Sequence, residues 1–142
     1  GLVVAEIQES SDVTYRLFDW NRTAADGRPR PLHVEAGLEA VTHFGPVAPS
    51  TAAKTGAASR RLVTCDYFLF DEVRPTGDWS VGGDDGCHFL AALSGVIHLD
   101  PRWRLPPLSR GMCVLLPAAI GSQTLSPAAG GEPATMLHVS LP

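Results

Sequence analysis

The 142-residue sequence is short of several things that specialised folds and interfaces need. Lysine occurs once, at Lys54, and the 11 basic residues fall below the 15 acidic ones, for a net charge of −4. A protein that grips nucleic acid carries a basic stripe, and none is present, so a nucleic-acid partner is excluded. No apolar run approaches the ~20 residues of a membrane-spanning helix. The three cysteines, Cys65, Cys87 and Cys113, are odd in number and form no CxxC pair. That excludes a zinc ribbon or a dithiol redox motif. Buried, reduced thiols in a cytoplasmic protein are the expectation. Charged residues make up only 18% against 44% hydrophobic, so the chain can build a core and is not disordered overall.

Glycine (14) and proline (12) are plentiful. They favour turns and short strands over long helices, in a mainly all-β chain. Three regions follow. Residues 1–22 read as a strand pair, with strands over 2–8 and 13–18 and the turn cluster Glu9-Ser10-Ser11-Asp12 between them. With a loop of Ser10 to Asp12, Glu6 stands opposite Arg16; a four-residue loop shifts that register by one. The chain opens on Gly1 inside an apolar run, so it is expected to be a fragment. Residues 23–60 read as a connector. It holds a turn at Asp26-Gly27, a short helix over 34–41 with Val34, Leu38 and Val41 on one face, and a flexible linker over 46–59. Residues 61–142 carry strands expected over 62–72, 87–100, 112–116, 122–125 and 135–141, with glycine turns at 82–86 and 128–131. This spacing predicts a sandwich or jelly roll.

Gly111-Met112-Cys113-Val114-Leu115-Leu116-Pro117 places a glycine and a proline around a strand. The glycine turns the chain into the strand and the proline ends it. This resembles the second box of the cupin superfamily. In metal-binding cupins that box leads to a His, where Ser122 stands here. The first box takes two His one residue apart; here His88 is followed by Leu90 in the second place, and residues 91–98 contain no carboxylate. The C-terminal region therefore resembles a cupin-like domain without a metal site.

A denser motif lies upstream. Glu6-Ile7-Gln8-Glu9-Ser10-Ser11-Asp12-Val13-Thr14-Tyr15-Arg16-Leu17-Phe18-Asp19-Trp20-Asn21-Arg22 is similar to a segment of type I mannose-6-phosphate isomerases. The similarity continues through Asp26-Gly27-Arg28-Pro29-Arg30-Pro31-Leu32-His33-Val34-Glu35 and more loosely to the end of the chain. It is to the C-terminal half of the short bacterial branch. The resemblance implies a cupin-like jelly-roll β-barrel with one short helix, part of a double-cupin architecture in which residues 1–22 belong to the catalytic cupin.

The implied activity is aldose–ketose isomerisation of mannose 6-phosphate and fructose 6-phosphate through an enediol. It needs a base, a cation near the carbonyl and a phosphate clamp. In the family the cation is zinc, and its ligands match no position of this chain; neither His33 nor His43 is taken as a substitute. The missing N-terminal half is the implied partner, and a second copy is expected to pair through exposed strand edges. Arg16 falls on the family's catalytic arginine. Taken alone, it reads as a strand arginine in a salt bridge with Glu6 or Asp12. Glu6 falls on an acidic position of the same site, for proton transfer or for orienting Arg16, and its plain reading is a partner of Arg16. Arg22 and Arg30 are substrate-phosphate candidates, or solvated loop arginines.

The remaining residues take structural readings. His33 packs or caps the helix. His88, His98 and His138 are satisfied strand histidines, and Trp20, Trp79 and Trp103 are able to stack on a sugar ring, with core or turn packing as the plain reading. Asp84-Asp85 is a solvated turn. Two further functions stay open: a stand-alone cupin that binds a sugar or sugar phosphate without turnover, and a structural or oligomerisation domain.

Overall fold

The computed structural model describes residues 3–8, 10–42, 45 and 58–142. The chain divides into two units, Gly1–Ala48 and Pro49–Pro142.

In the first unit the one helix, α1, spans Val34–Ala40. It matches the expected helix but presents a different face. Val34 and Leu38 stay half exposed, and the buried residue is Gly37. A Cβ at Gly37 would collide with Leu17 Cδ2 and lie 3.4 Å from Tyr15 Cβ, so the helix sits directly on the 15–17 segment. The expected ladder between residues 2–8 and 13–18 does not form among the described residues. Among the described residues of this unit, an isolated bridge joins Thr23 to Pro29. An isolated two-stranded hairpin is marginal in water, and alternating sequence becomes a strand only where a sheet receives it.

The second unit is a two-layer β structure. Its strands are β1 (Ser59–Thr64), β2 (Leu69–Val73), β3 (Trp79–Val81), β4 (His88–Ser94), β5 (Val96–His98), β6 (Leu108–Ser109), β7 (Cys113–Leu116), β8 (Gln123–Pro127) and β9 (Thr135–Ser140). One sheet runs β1-β2-β9-β4-β7 and the other β3-β8-β5-β6. All pairs are antiparallel. Strand alternation sends Leu90, Ala92, Leu116 and Met136 of the first sheet inward. They meet Val81, Ile97, Leu108 and Leu125 of the second in one core. Each fully buried aliphatic side chain there is worth about 1.5–3 kcal/mol. The expected jelly roll is present.

Boundaries differ from the expectation at identifiable turns. The strand over 62–72 is two, β1 and β2, because the chain reverses at Cys65 to Phe68, where Cys65 N–H donates to the Phe68 carbonyl (3.1 Å). The strand over 87–100 is also two, because Gly95 at φ +66° turns the chain from the first sheet into the second. The short β3 and β6 were not foreseen. Residues 46–57 of the expected linker lie outside the described residues, and Ser59 opens β1.

Buried thiols are not what the structure shows. Cys87 and Cys113 are exposed and Cys65 is half-buried, all three unpaired. Cys87 precedes the inward His88 and Cys113 precedes Val114, so parity turns both sulfurs outward.

The Gly111–Pro117 box behaves as its chemistry requires. Gly111 adopts φ +85° just before β7, and Pro117 leads into a short 3-10 turn. A Cβ at Gly111 meets nothing within 4 Å. Gly111→Ala is therefore expected to cost only the left-handed backbone penalty, about 1–2 kcal/mol, read as a modest drop in melting temperature.

Candidate functional site

The first unit gathers its charged motif residues around Asp19. Asp19 to Arg22 form a tight turn closed by Arg22 N–H donating to the Asp19 carbonyl (2.9 Å). Trp20 and Asn21 at its centre have φ of 53° and 54°. A left-handed pair is the type I′ pattern, which tryptophan adopts only under constraint. The turn presents the Asp19 carboxylate to two guanidinium groups. Arg30 Nε lies 3.1 Å from Oδ2 and Arg16 Nε 3.5 Å from Oδ1. Oδ2 is buried and makes no aligned hydrogen bond, so its interaction with Arg30 is an ion pair only.

Arg16 is also fixed by its backbone. Its N–H donates to His33 Nδ1 (3.2 Å), its carbonyl accepts from His33 N–H (2.7 Å), and Nη1 donates to the Pro31 carbonyl (3.1 Å). His33 thus packs, edge-on to Tyr15, and provides no side-chain cap to α1. Two of the four expected site residues, Arg16 and Arg30, are brought to one carboxylate. Arg22 joins through its backbone, and its exposed side chain makes no ion pair among the described residues. Glu6 is exposed and is not brought to Arg16, so the expected Glu6–Arg16 pair is replaced by Arg16–Asp19. The reason is the unformed ladder that would have set their register.

The second unit holds a cluster that sequence reading assigned to separate structural roles. The strand registers align Arg61 with Asp71, Asp71 with His138, and His138 with Leu90. The row lies on the inward face, where Leu90 is fully buried. His88, two residues before Leu90, joins it. Arg61 Nε donates to Asp71 Oδ1 (2.6 Å), His88 Nδ1 lies 2.9 Å from His138 Nε2, and His88 Nε2 lies 2.8 Å from Asp84 Oδ1. The two imidazoles stack at 5.1 Å, and Trp79 of the opposite sheet stands edge-on to His138 at 5.4 Å. These residues line a cleft of about 350 Å³. The available signal was parity: Met136, His138 and Ser140 share a face, and the first of them is core.

The hydrogen bond from His88 holds the Asp84 carboxyl below its ordinary pKa, so it is an anion that only accepts. His88 Nε2 therefore carries a proton. Which of His88 Nδ1 and His138 Nε2 donates to the other follows the proton on His88, so His138 Nδ1 faces the cleft as an acceptor when His88 is neutral and as a donor when it is charged. Burial, and secondarily the positive field of His88, push the His138 pKa down to about 4. Its folded pKa lies below the ordinary value, so the unfolded chain binds the extra proton first. Stability is then full above about pH 6.5 and lost as pH falls toward 4, by on the order of 2–3 kcal/mol. Melting temperatures from pH 7 to 4 are expected to fall along this slope in the native protein, and less steeply in His138→Gln.

No protein-family model matches the chain. YvyI of Bacillus subtilis, a putative mannose-6-phosphate isomerase, is 29% identical over 128 residues, which is 88% of this chain and 40% of that protein. The mannose-6-phosphate isomerase of Streptococcus mutans is 27% identical over 124 residues, 86% of this chain and 39% of its own. The crystal structure of a Bacillus subtilis mannose-6-phosphate isomerase matches with a TM-score of 0.64 at 25% identity, covering 91% of this chain and 40% of that one. Most of the chain is similar to mannose-6-phosphate isomerases. The chain spans about 40% of the length of the relatives it matches. A Ralstonia eutropha protein with a cupin-like fold matches with a TM-score of 0.50 at 11% identity, over 71% of this chain and 70% of its own. The jelly roll of the second unit is cupin-like. Among the described residues no three His, Cys, Asp or Glu side chains are arranged to hold a metal ion. The nearest set, Asp84, His88 and His138, is joined by direct hydrogen bonds with no gap for an ion. No helix among the described residues is long and apolar enough to cross a membrane.

Proposed function

We propose that the chain serves as the C-terminal portion of an aldose–ketose isomerase that interconverts mannose 6-phosphate and fructose 6-phosphate. The observation that carries this reading is the similarity to mannose-6-phosphate isomerases over most of the chain, with Arg16 held inside the matched motif.

The chemistry moves a proton between C1 and C2 through an enediol. The Arg16 guanidinium stays cationic at every working pH and is suited to the oxygen that gains charge in that step. Asp19 and the Pro31 carbonyl would hold it in one orientation. Glu6, exposed in this unit, would reach the same site once its strand is paired, to move the proton or to orient Arg16. Arg22 and Arg30 would receive the substrate phosphate, for which a guanidinium fork is apt. A zinc ion does not fit the described residues and would be held by the remainder of a longer, cytoplasmic protein; none of these steps runs through it.

The exposure of Val13, Phe18 and Trp20, each 60% or more, supports a neighbour for the first unit. We take that neighbour to be the catalytic cupin, with pairing to a second copy as its substitute when the cupin is absent. Residues 1–142 alone, with zinc added, are expected to show no isomerase turnover. Turnover should appear when a separately expressed upstream portion of the gene product is supplied. Turnover by residues 1–142 alone would contradict the assignment of half a site to this chain. Saturable sugar-phosphate binding by the complete product without conversion would favour the non-catalytic cupin instead.

A further inference from the structure

The geometry points to a second ligand site, in the cleft between the two sheets of the cupin-like unit, shaped for an uncharged polyhydroxylated small molecule such as a monosaccharide ring or a linear polyol. It does not rest on the isomerase reading, because every residue involved lies in the second unit.

Position is the first argument. Arg61, Asp71 and His138 share a row of inward-facing positions whose next member is Leu90, in the core. Asp71 and His88 are buried. Polar groups on a core face cost free energy unless they are fully paired, and apolar residues there would serve a purely structural barrel better. The pairing is incomplete. Arg61 engages one oxygen of Asp71 and the Thr64 hydroxyl (3.3 Å), which leaves the second Asp71 oxygen without Arg61, and His138 Nδ1 has no partner among the described residues.

Chemistry is the second. Donors and acceptors stand side by side. The Arg61 guanidinium adjoins the Asp71 carboxylate at 2.6 Å, and the Asp84–His88–His138 chain ends in an imidazole nitrogen that accepts or donates with the tautomer. A hydroxyl both donates and accepts, so adjacent hydroxyls match this alternation. Two carboxylates face one guanidinium, which disfavours phosphate, while the guanidinium itself disfavours an ammonium ion. Size is the third: about 350 Å³ is within the range of small-molecule sites, and Trp79 supplies the flat apolar wall such sites use.

The test is an NMR titration of the full 142-residue chain. It follows the Trp79 indole N–H and the His138 ring protons, assigned with Trp79→Phe and His138→Gln. The probes are D-glucose, D-mannitol, inorganic phosphate and ethanolamine. Glucose or mannitol is expected to shift both signals saturably with a Kd of about 1–10 mM, and neither ion to do so. The Asp84 side chain is 61% exposed, so Asp84→Asn should keep the fold. By releasing His88 it should weaken polyol binding about tenfold, the worth of one hydrogen bond. No saturable shift with either polyol would overturn the proposal. So would preferential binding of phosphate or ethanolamine, or undiminished polyol binding by Asp84→Asn. If Asp84→Asn lowers the melting temperature, the titration of the native chain decides by itself.

Discussion

Arg16→Ala in the complete gene product is expected to lower kcat/KM for mannose 6-phosphate by about 10²–10³, most of it in kcat. A cation that stabilises charge only as the enediol forms contributes little to ground-state binding, so KM should move far less. Arg16→Lys should recover part of the rate, because the charge is kept and the fork is lost. The melting temperature should change little. Asp19 keeps Arg30 at 3.1 Å when Arg16 is removed, so no buried carboxylate is left without a cation. The opposite pattern, a clear loss of melting temperature with kcat intact, would return Arg16 to the plain role of a salt-bridge arginine.

Gly95→Ala is expected to be the most damaging small substitution in the second unit. The residue sits at φ +66°, which already penalises any side chain. A Cβ there would lie 2.6 Å from the Glu132 carbonyl oxygen and 2.6 Å from the Ala134 Cα, both backbone atoms that cannot rotate away. Relief requires the chain before β9 to move, and β9 is the central strand of its sheet. We expect a loss of more than about 3 kcal/mol, enough to leave the unit largely unfolded at 37 °C. Thermal melts of Gly95→Ala beside Gly111→Ala check this, since both carry a positive φ and only Gly95 lacks space. Equal effects would mean that conformation alone, not contact, governs both sites.

The sheets of the second unit were legible because their signals are local. Alternation of apolar and polar residues marks β4, β8 and β9, and the Gly111–Pro117 box marks β7. The breaks at Cys65–Phe68 and Gly95 were less visible, since Asp66 and the Ser94-Gly95 pair are short interruptions of longer apolar runs and the sheet shows where the chain leaves it. The first unit was half legible. The helix is where its composition places it, and the motif that carries Arg16 is recognisable. Among the described residues the hairpin ladder does not form, because strand formation depends on a receiving sheet. Glu6 and Arg16 were paired through a register that this unit does not form, and Asp19, which does gather the arginines, gave no signal beyond its place in the motif. The His88–His138 cluster escaped for a related reason. Its members are 50 residues apart, at spacings that mean nothing until β4 and β9 are known to be neighbours.

We propose that this chain completes a mannose-6-phosphate isomerase, and the activity of the whole gene product decides it. It is tested most directly by incubating the complete gene product with mannose 6-phosphate and following the sugar signals by NMR. Fructose 6-phosphate should accumulate to an equilibrium mixture, and the same mixture should be reached from fructose 6-phosphate. A folded, zinc-supplemented gene product that leaves both sugar phosphates unchanged would contradict it.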